Sequence, residues 1–255
     1  MSFLANFVLS AGLFLAMVLL QGAGFRMGRS AKFAGWTRLG VGFIEAAVFG
    51  FLGLLLAFQF NRAATQLDTW RSLIVREGNA IATSYRRLEL LSPERRPALQ
   101  DLFRRYTDAR IRYYEGLDSL ASAPLETVAS GLQPEIWSAA AAAVRQEPSS
   151  ATANLLLSSV NEMFDAAEAR KVAGQTHIPP LVVFLPLSMA LLSALLAGYA
   201  MSSSDKRQNW LHVVVFAAVV GITIFVALDM EYPRSGLIRV GAADQALLDA
   251  RLAMD

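Results

Sequence analysis

A carboxylate inside a long apolar run is the first residue of this chain whose type and place suggest chemistry. Glu45 is the single charge between Val41 and Phe60. Burying a carboxylate in a bilayer is costly unless it finds a partner, a wet cavity or a shallow depth. Counted along a helix from Glu45, the residues Phe49, Leu52, Leu56 and Gln59 fall at i+4, i+7, i+11 and i+14, on one face. A polar end, an apolar middle and a polar end is the lining that an ion path with a hydrophobic gate requires. The same spacing suits a plain structural helix. In that reading Glu45 reaches the interface or pairs with Arg38 or His212, and Phe49, Leu52 and Leu56 face lipid or neighbouring helices. A separate face, Gly42, Ala46, Gly50, Gly53 and Ala57, is small enough for close helix contact, and packing is its expected role.

Two further sets of polar residues stand out. Asp229 and Glu231 leave the last apolar run together, and two carboxylates one residue apart could contribute oxygen ligands to a hard cation. The motif supplies far fewer ligands than such an ion needs. The competing reading is a helix end at Tyr232-Pro233, with the acids pairing with Arg62, Arg71 or Arg234 at the membrane surface. Glu77, Asn79, Thr83 and Arg86 share a polar helix face, and Asn161 and Asp165 stand at i, i+4 on a later helix. Together they are expected to meet as a buried polar network between the helices that continue the second and third spans, with an ion vestibule as the sharper alternative.

Catalytic signals are weak. Cys is absent, which excludes a disulfide scaffold, a Cys-ligated metal and a cysteine nucleophile. His177 and His212 lie at the ends of different apolar runs, no nucleophile–base spacing is readable, and no Gly-rich phosphate loop occurs. No enzyme and no cofactor is expected. The net charge of +2 is too balanced to suggest a nucleic-acid partner.

The elements that must position these residues follow from how charge is segregated. Apolar residues make up 55% of the 255 and charged ones 17%. That deficit of charge argues against a wholly soluble domain. Four runs, Phe3 to Phe25, Val41 to Phe60, Leu181 to Met201 and Trp210 to Leu228, are each about the 20 residues a helix needs to cross a bilayer. The first has no basic n-region and exceeds an h-region in length, so it reads as a retained span. Between the second and third spans, residues 61 to 179 carry 14 basic and 14 acidic residues. Apolar stripes at helical spacing run through this segment: Leu67, Trp70, Ile74, Ile81, Tyr85 and Leu88, then Leu99, Leu102, Phe103, Tyr106, Tyr113 and Leu117. Ser92 is expected to cap the second of these helices with Pro93 at its first position, Pro134 to Gln146 to form a third, and Pro148 to open a fourth. The fourth carries Leu156, Val160, Met163 and Ala167 on one face and stops at Gly174 and Pro179-Pro180. The first is expected to continue straight out of the second span.

The expected architecture is an all-α integral membrane protein with four transmembrane helices and a helical extramembrane bundle inserted between helices two and three. Its parts are residues 1–60 (helices 1 and 2 with a basic loop), 61–179 (the bundle), 180–229 (helices 3 and 4) and 230–255 (a C-terminal tail). The short loops carry Arg26, Arg29, Lys32, Arg38, Lys206 and Arg207 against Asp205, which by the positive-inside rule places the bundle outside the cytoplasm. Arg62, Arg71, Arg170, Lys171, Arg234 and Arg239 balance them on the other side, so the charges leave the side of the bundle open.

Several stretches carry a likeness. They are Leu55-Leu56-Ala57-Phe58-Gln59-Phe60 followed by Asp68, Arg71, Glu77-Gly78-Asn79-Ala80-Ile81-Ala82-Thr83 and Tyr85-Arg86, then Asn161-Glu162-Met163-Phe164-Asp165 before His177-Ile178-Pro179, and finally Leu228 to Val240. In these the chain resembles the bacterial membrane proteins of the bestrophin-like domain family, over about Val41 to Val240. The family more usually has Ala and Gly where this chain has Gly78 and Ala82. The resemblance implies a distant likeness to bestrophins, which are pentameric anion channels with four membrane helices and long cytosolic helices. It would place the bundle in the cytoplasm, against the lean of the short loops, and it brings no established site residue to carry over.

Two functions are therefore expected from different classes. One is an oligomeric channel in the bacterial inner membrane, a homo-oligomer and by the resemblance a pentamer, passing small ions, anions favoured, along its symmetry axis. The other is a non-conducting, membrane-anchored scaffold or sensor whose bundle binds a partner.

Overall fold

The computed structural model describes residues 3–30, 38–115, 122–147, 149–175, 179–202, 210–231, 237–238 and 241–255. Among them there is no strand. Eight α-helices follow in order: α1 (Phe3–Gly28), α2 (Arg38–Arg87), α3 (Arg96–Glu115), α4 (Ser122–Val144), α5 (Ser150–Gln175), α6 (Pro180–Met201), α7 (Trp210–Glu231) and α8 (Gly241–Leu252). The helices α1, α2, α6 and α7 are long and apolar enough to cross a membrane, and this is a membrane protein. As expected, α2 passes from the second apolar run into the polar segment as one helix of 50 residues. The chain forms two compact units, residues 1–67 with 177–238, and residues 68–176 with 239–255. Arg239–Asp255 thus belongs to the second unit and is not a free tail.

In the first unit, α1 lies against α6 with almost no side chain between them. A Cβ on Gly24 would meet the carbonyl of Leu195, and one on Gly198 would meet that of Gln21. Small residues at such positions let membrane helices approach closely, where packing and not the hydrophobic effect joins them. Ala190, Ala194 and Ala197 extend this surface along α6, and Leu13, Met17, Ala217, Val220 and Ile224 fill the space toward α7. The polar residues of α1 point the same way. Asn6, Ser10 and Gln21 are all buried, and the Asn6 amide donates to the Leu228 carbonyl at 3.5 Å.

The second unit is a helical bundle whose core is built from the apolar stripes. Ile81 and Leu88 of α2, Leu99, Phe103 and Tyr106 of α3, Ile136 and Ala140 of α4, and Leu156, Val160 and Met163 of α5 are fully buried together with Leu247 and Met254. Ala167 is buried as well, which completes the expected face of α5.

Two helix starts differ from expectation. α4 begins at Ser122, twelve residues before Pro134, which sits inside the helix. The apolar face Ala129, Leu132, Ile136, Ala140 runs across the proline, and Pro134 is exposed, so the carbonyl it leaves unpaired faces water. α3 begins at Arg96, and Ser92 does not cap it. Its hydroxyl and backbone N–H both donate to the Glu147 carboxylate, at 2.8 and 2.9 Å, with Arg95 Nη1 at 2.7 Å from the same oxygen. Pro148 and Leu117 lie outside the described residues.

Candidate functional site

The helix α2 carries most of the candidate residues, and its two sides are unlike. Phe49 meets the ring of Phe216 on α7 edge-on, 5.0 Å between centroids. Leu52, 2% exposed, joins the core of the first unit, and Leu56 packs on that core. Gln59 borders a small cleft with Val183, Pro186, Leu187 and Ile224. Glu45 is half-buried. The face expected to line an ion path thus points, at Phe49, Leu52, Leu56 and Gln59, into the protomer's own helices. The reason is the pattern itself. Phe49, Leu52 and Leu56 are the large apolar residues flanked by polar ends, and such a set is equally what a helix buries against its neighbours. Leu52 closes that side, so the free surface of the span lies opposite.

On that opposite side Phe43 is 79% exposed, Leu54 50% and Phe58 64%. Gly42, Ala46, Gly50, Gly53 and Ala57, the small-residue face, are exposed beside them, and a Cβ on Gly42, Gly50 or Gly53 would touch nothing within 4 Å among the described residues. Among the described residues, nothing of the protomer packs against these three glycines.

In the second unit the expected polar network is realised at Glu77 alone. Its carboxylate is fully buried, with Oε1 2.6 Å from Arg110 Nε on α3 and Oε2 2.9 Å from Arg170 Nη1 on α5. Arg170 Nη2 also reaches Asp244 Oδ1 on α8 at 2.9 Å. Between the two guanidinium groups lies Tyr114, with Arg170 3.2 Å and Arg110 4.7 Å from its ring centroid and its hydroxyl bonded by Arg110. Burial works against the Arg110 charge, but the Glu77 carboxylate, Tyr114 and Tyr106 together more than offset it and hold the guanidinium above its ordinary value. Burial, then the Glu77 charge, pushes the Tyr114 phenol well above its usual range.

Asn79, Thr83, Arg86, Asn161 and Asp165 are exposed and do not join this network. Besides the Glu77–Arg170 pair, the polar contacts between α2 and α5 are others: the Ser84 hydroxyl donates to the Ser159 carbonyl at 2.7 Å and Arg87 Nη1 to the Leu155 carbonyl at 2.7 Å. Asn79 and Thr83 instead line an open surface groove of about 630 Å³ with Asp68, Arg71, Arg76 and Glu162.

Arg110, Tyr114, Arg170 and Asp244 were not among the expected site residues. A signal existed for two of them. Arg110 follows Tyr106 by one turn on the apolar face of α3, and Arg170 follows Met163 and Ala167 on that of α5. An arginine on a buried face needs an anion.

Asp229 is buried and accepts backbone N–H bonds from Leu237 at 3.1 Å and Ile238 at 2.9 Å, so each of its carboxylate oxygens is engaged. Glu231 lies 3.9 Å from Arg62, the interfacial pairing expected of it, while Arg71 pairs with Asp68 at 3.3 Å. Arg234 lies outside the described residues, as does His177. Among the described residues no group of three or more His, Cys, Asp or Glu is placed to hold a metal.

The sequence model of the Bestrophin-like domain matches residues 8–244. The chain belongs to the Bestrophin-like family. Its fold is similar to that of solved bestrophin homologues. A bacterial bestrophin homologue from Klebsiella pneumoniae, solved in several variants, is similar with a TM-score of 0.72 at 14% identity, over 100% of this chain and 98% of that one. Two further variants of it give 0.70, at 14% and 15% identity, over 96% and 95% of this chain and 98% and 97% of theirs. No curated protein matches the sequence. At such identity the bestrophin likeness speaks for the fold, and the role of each side chain rests on this structure.

Proposed function

We propose that this chain is one subunit of an ion channel in the bacterial cytoplasmic membrane, assembled from several copies about an axis, with the outward face of α2 toward the ion path. The observation that carries the reading is the bareness of α2. Only 6% of its most apolar stretch is buried by the chain itself, against 22%, 33% and 39% for the other three spans. Its open side is shaped for helices more than for lipid, because Gly50, Gly53 and Ala57 expose backbone that another helix can approach. Leu54 and Phe58 stand one turn apart on that side, with Asn61 three residues beyond. Successive apolar rings followed by a polar one form a constriction that closes by dewetting. The interior of the first unit is filled by Leu52, Met17 and Ala194, so a path requires more than one copy. The family's likeness to bestrophins makes small anions the expected cargo and a pentamer the expected assembly.

Purified protein reconstituted into liposomes, with chloride and sodium flux recorded separately, tests the reading, and the mass of the complex in mild detergent accompanies it. A stable monomer, or vesicles tight to every ion tried, would instead favour a non-conducting scaffold whose bundle binds a partner.

A further inference from the structure

Among the described residues, the last helix adds a second acid to the charges around Glu77. Glu77 carries a single negative charge against Arg110 and Arg170, and Asp244 of α8 supplies the second. Glu77, Arg110 and Arg170 have side chains at most 5% exposed, whereas Asp244 has 32% exposed and is the member that solvent reaches. Without Asp244 the buried Arg170 guanidinium loses one of its two carboxylate partners. Its Nη2 is then bare, and its buried Nε already has no hydrogen-bond partner. A buried cation left in that state costs several kcal/mol, roughly 3–5, unless an anion joins it. The Tyr114 ring covers one face of the Arg170 guanidinium. The donors lie along the edge, and the edge of a guanidinium matches a planar carboxylate.

We propose that Asp244 is a built-in ligand of a carboxylate-binding site on Arg170, whose guanidinium lies against the Tyr114 ring, and that its occupancy helps hold the C-terminal helix on the bundle. The other attachments of α8 and the residues after it are the buried apolar side chains of Leu247, Ala250 and Met254 and a set of part-buried polar contacts. Arg251 pairs with Asp108 at 2.8 Å, and the Met254 carbonyl accepts from the Tyr85 hydroxyl at 3.1 Å and Arg104 Nε at 3.0 Å. A tethered carboxylate acts at an effective concentration in the millimolar range or above, so dilute free carboxylates do not displace it. Once its side chain is removed, they take its place. This inference rests on the second unit alone and is independent of the channel reading.

The test uses the full chain in detergent carrying Asp244→Ala. Amide hydrogen exchange in α8 is followed by mass spectrometry while sodium acetate replaces sodium chloride at constant ionic strength. In chloride, α8 of the variant exchanges roughly tenfold or more faster than wild type, as loss of a buried ion-pair partner requires, and acetate restores protection saturably. Asp249→Ala, at an exposed position of the same helix, shows no acetate dependence. If Asp244→Ala does not fold in chloride, its folded yield in acetate against chloride gives the same reading. Equal behaviour in the two salts, or wild-type exchange in the variant, overturns the proposal.

Discussion

The rings of Phe49 and Phe216 meet edge-on at 5.0 Å, and this contact shows which way the membrane part of α2 faces. Phe49, Leu52 and Leu56 turn inward, so Phe43, Leu54 and Phe58 turn out. Phe49→Ala should then act on stability, lowering it by about 2 kcal/mol for a half-buried aromatic. Phe58→Ala should leave stability within about 0.5 kcal/mol, as an exposed position does. Thermal melts of the two variants in one detergent compare them directly, and equal losses would put both sides of α2 in contact with the chain.

Glu77 is the acid that two arginines share, and removing it leaves both uncompensated. Glu77→Gln is expected to cost about 3–5 kcal/mol, the penalty for breaking a buried ion pair from one side. Glu162→Gln, exposed on α5, should cost almost nothing. Denaturant titration of the two variants, read on the tyrosines of the bundle, measures the difference.

Packing between α1 and α6 gives a sharper contrast. Gly198→Leu drives a side chain into the Gln21 backbone and should destabilise the membrane unit by about 3 kcal/mol, the cost of an overpacked contact. Gly12→Leu, where a Cβ meets nothing within 4 Å, should be tolerated. Yield of monodisperse protein and its melting temperature report both.

The pH limits of the bundle follow from two groups. Hydrogen bonds from the Ser92 backbone and hydroxyl, with Arg95 beside them, hold the Glu147 carboxyl below its ordinary value of 4.5. Its contribution is therefore present above that value and is lost as pH falls through the lowered one. Burial pushes the Tyr106 phenol from 10.0 up to about 12. Its contribution is present below pH 10 and lost as pH rises toward 12, because the unfolded chain ionises first. Unfolding midpoints across pH should show the acid loss reduced in Glu147→Gln and the alkaline loss reduced in Tyr106→Phe.

The spans and the bundle core were legible in the sequence because each rests on a single periodicity. Runs of about 20 apolar residues give the spans, and stripes at i, i+3 and i+4 give faces such as Leu156, Val160, Met163 and Ala167. The site was less legible. Periodicity tells that Phe49, Leu52 and Leu56 share a face but not whether the cover is the same chain or another copy. Asn79, Thr83, Asn161 and Asp165 have the composition of a network and are solvated, while Arg110 and Arg170, set among apolar residues, form one. Asp244 was not legible, since its partner Arg170 stands 74 residues away with two apolar spans between.

Chloride efflux from liposomes containing wild type, Leu54→Ala, Phe58→Ala and Leu56→Ala protein is the most direct test of α2 as the axial helix. Wild-type vesicles should pass chloride, and truncating Leu54 or Phe58 should widen the constriction and raise the flux without loss of assembled protein. Leu56→Ala should lower stability and leave the flux per assembled channel unchanged. Vesicles that stay tight to chloride, or a flux that follows Leu56 and ignores Leu54 and Phe58, would contradict the account.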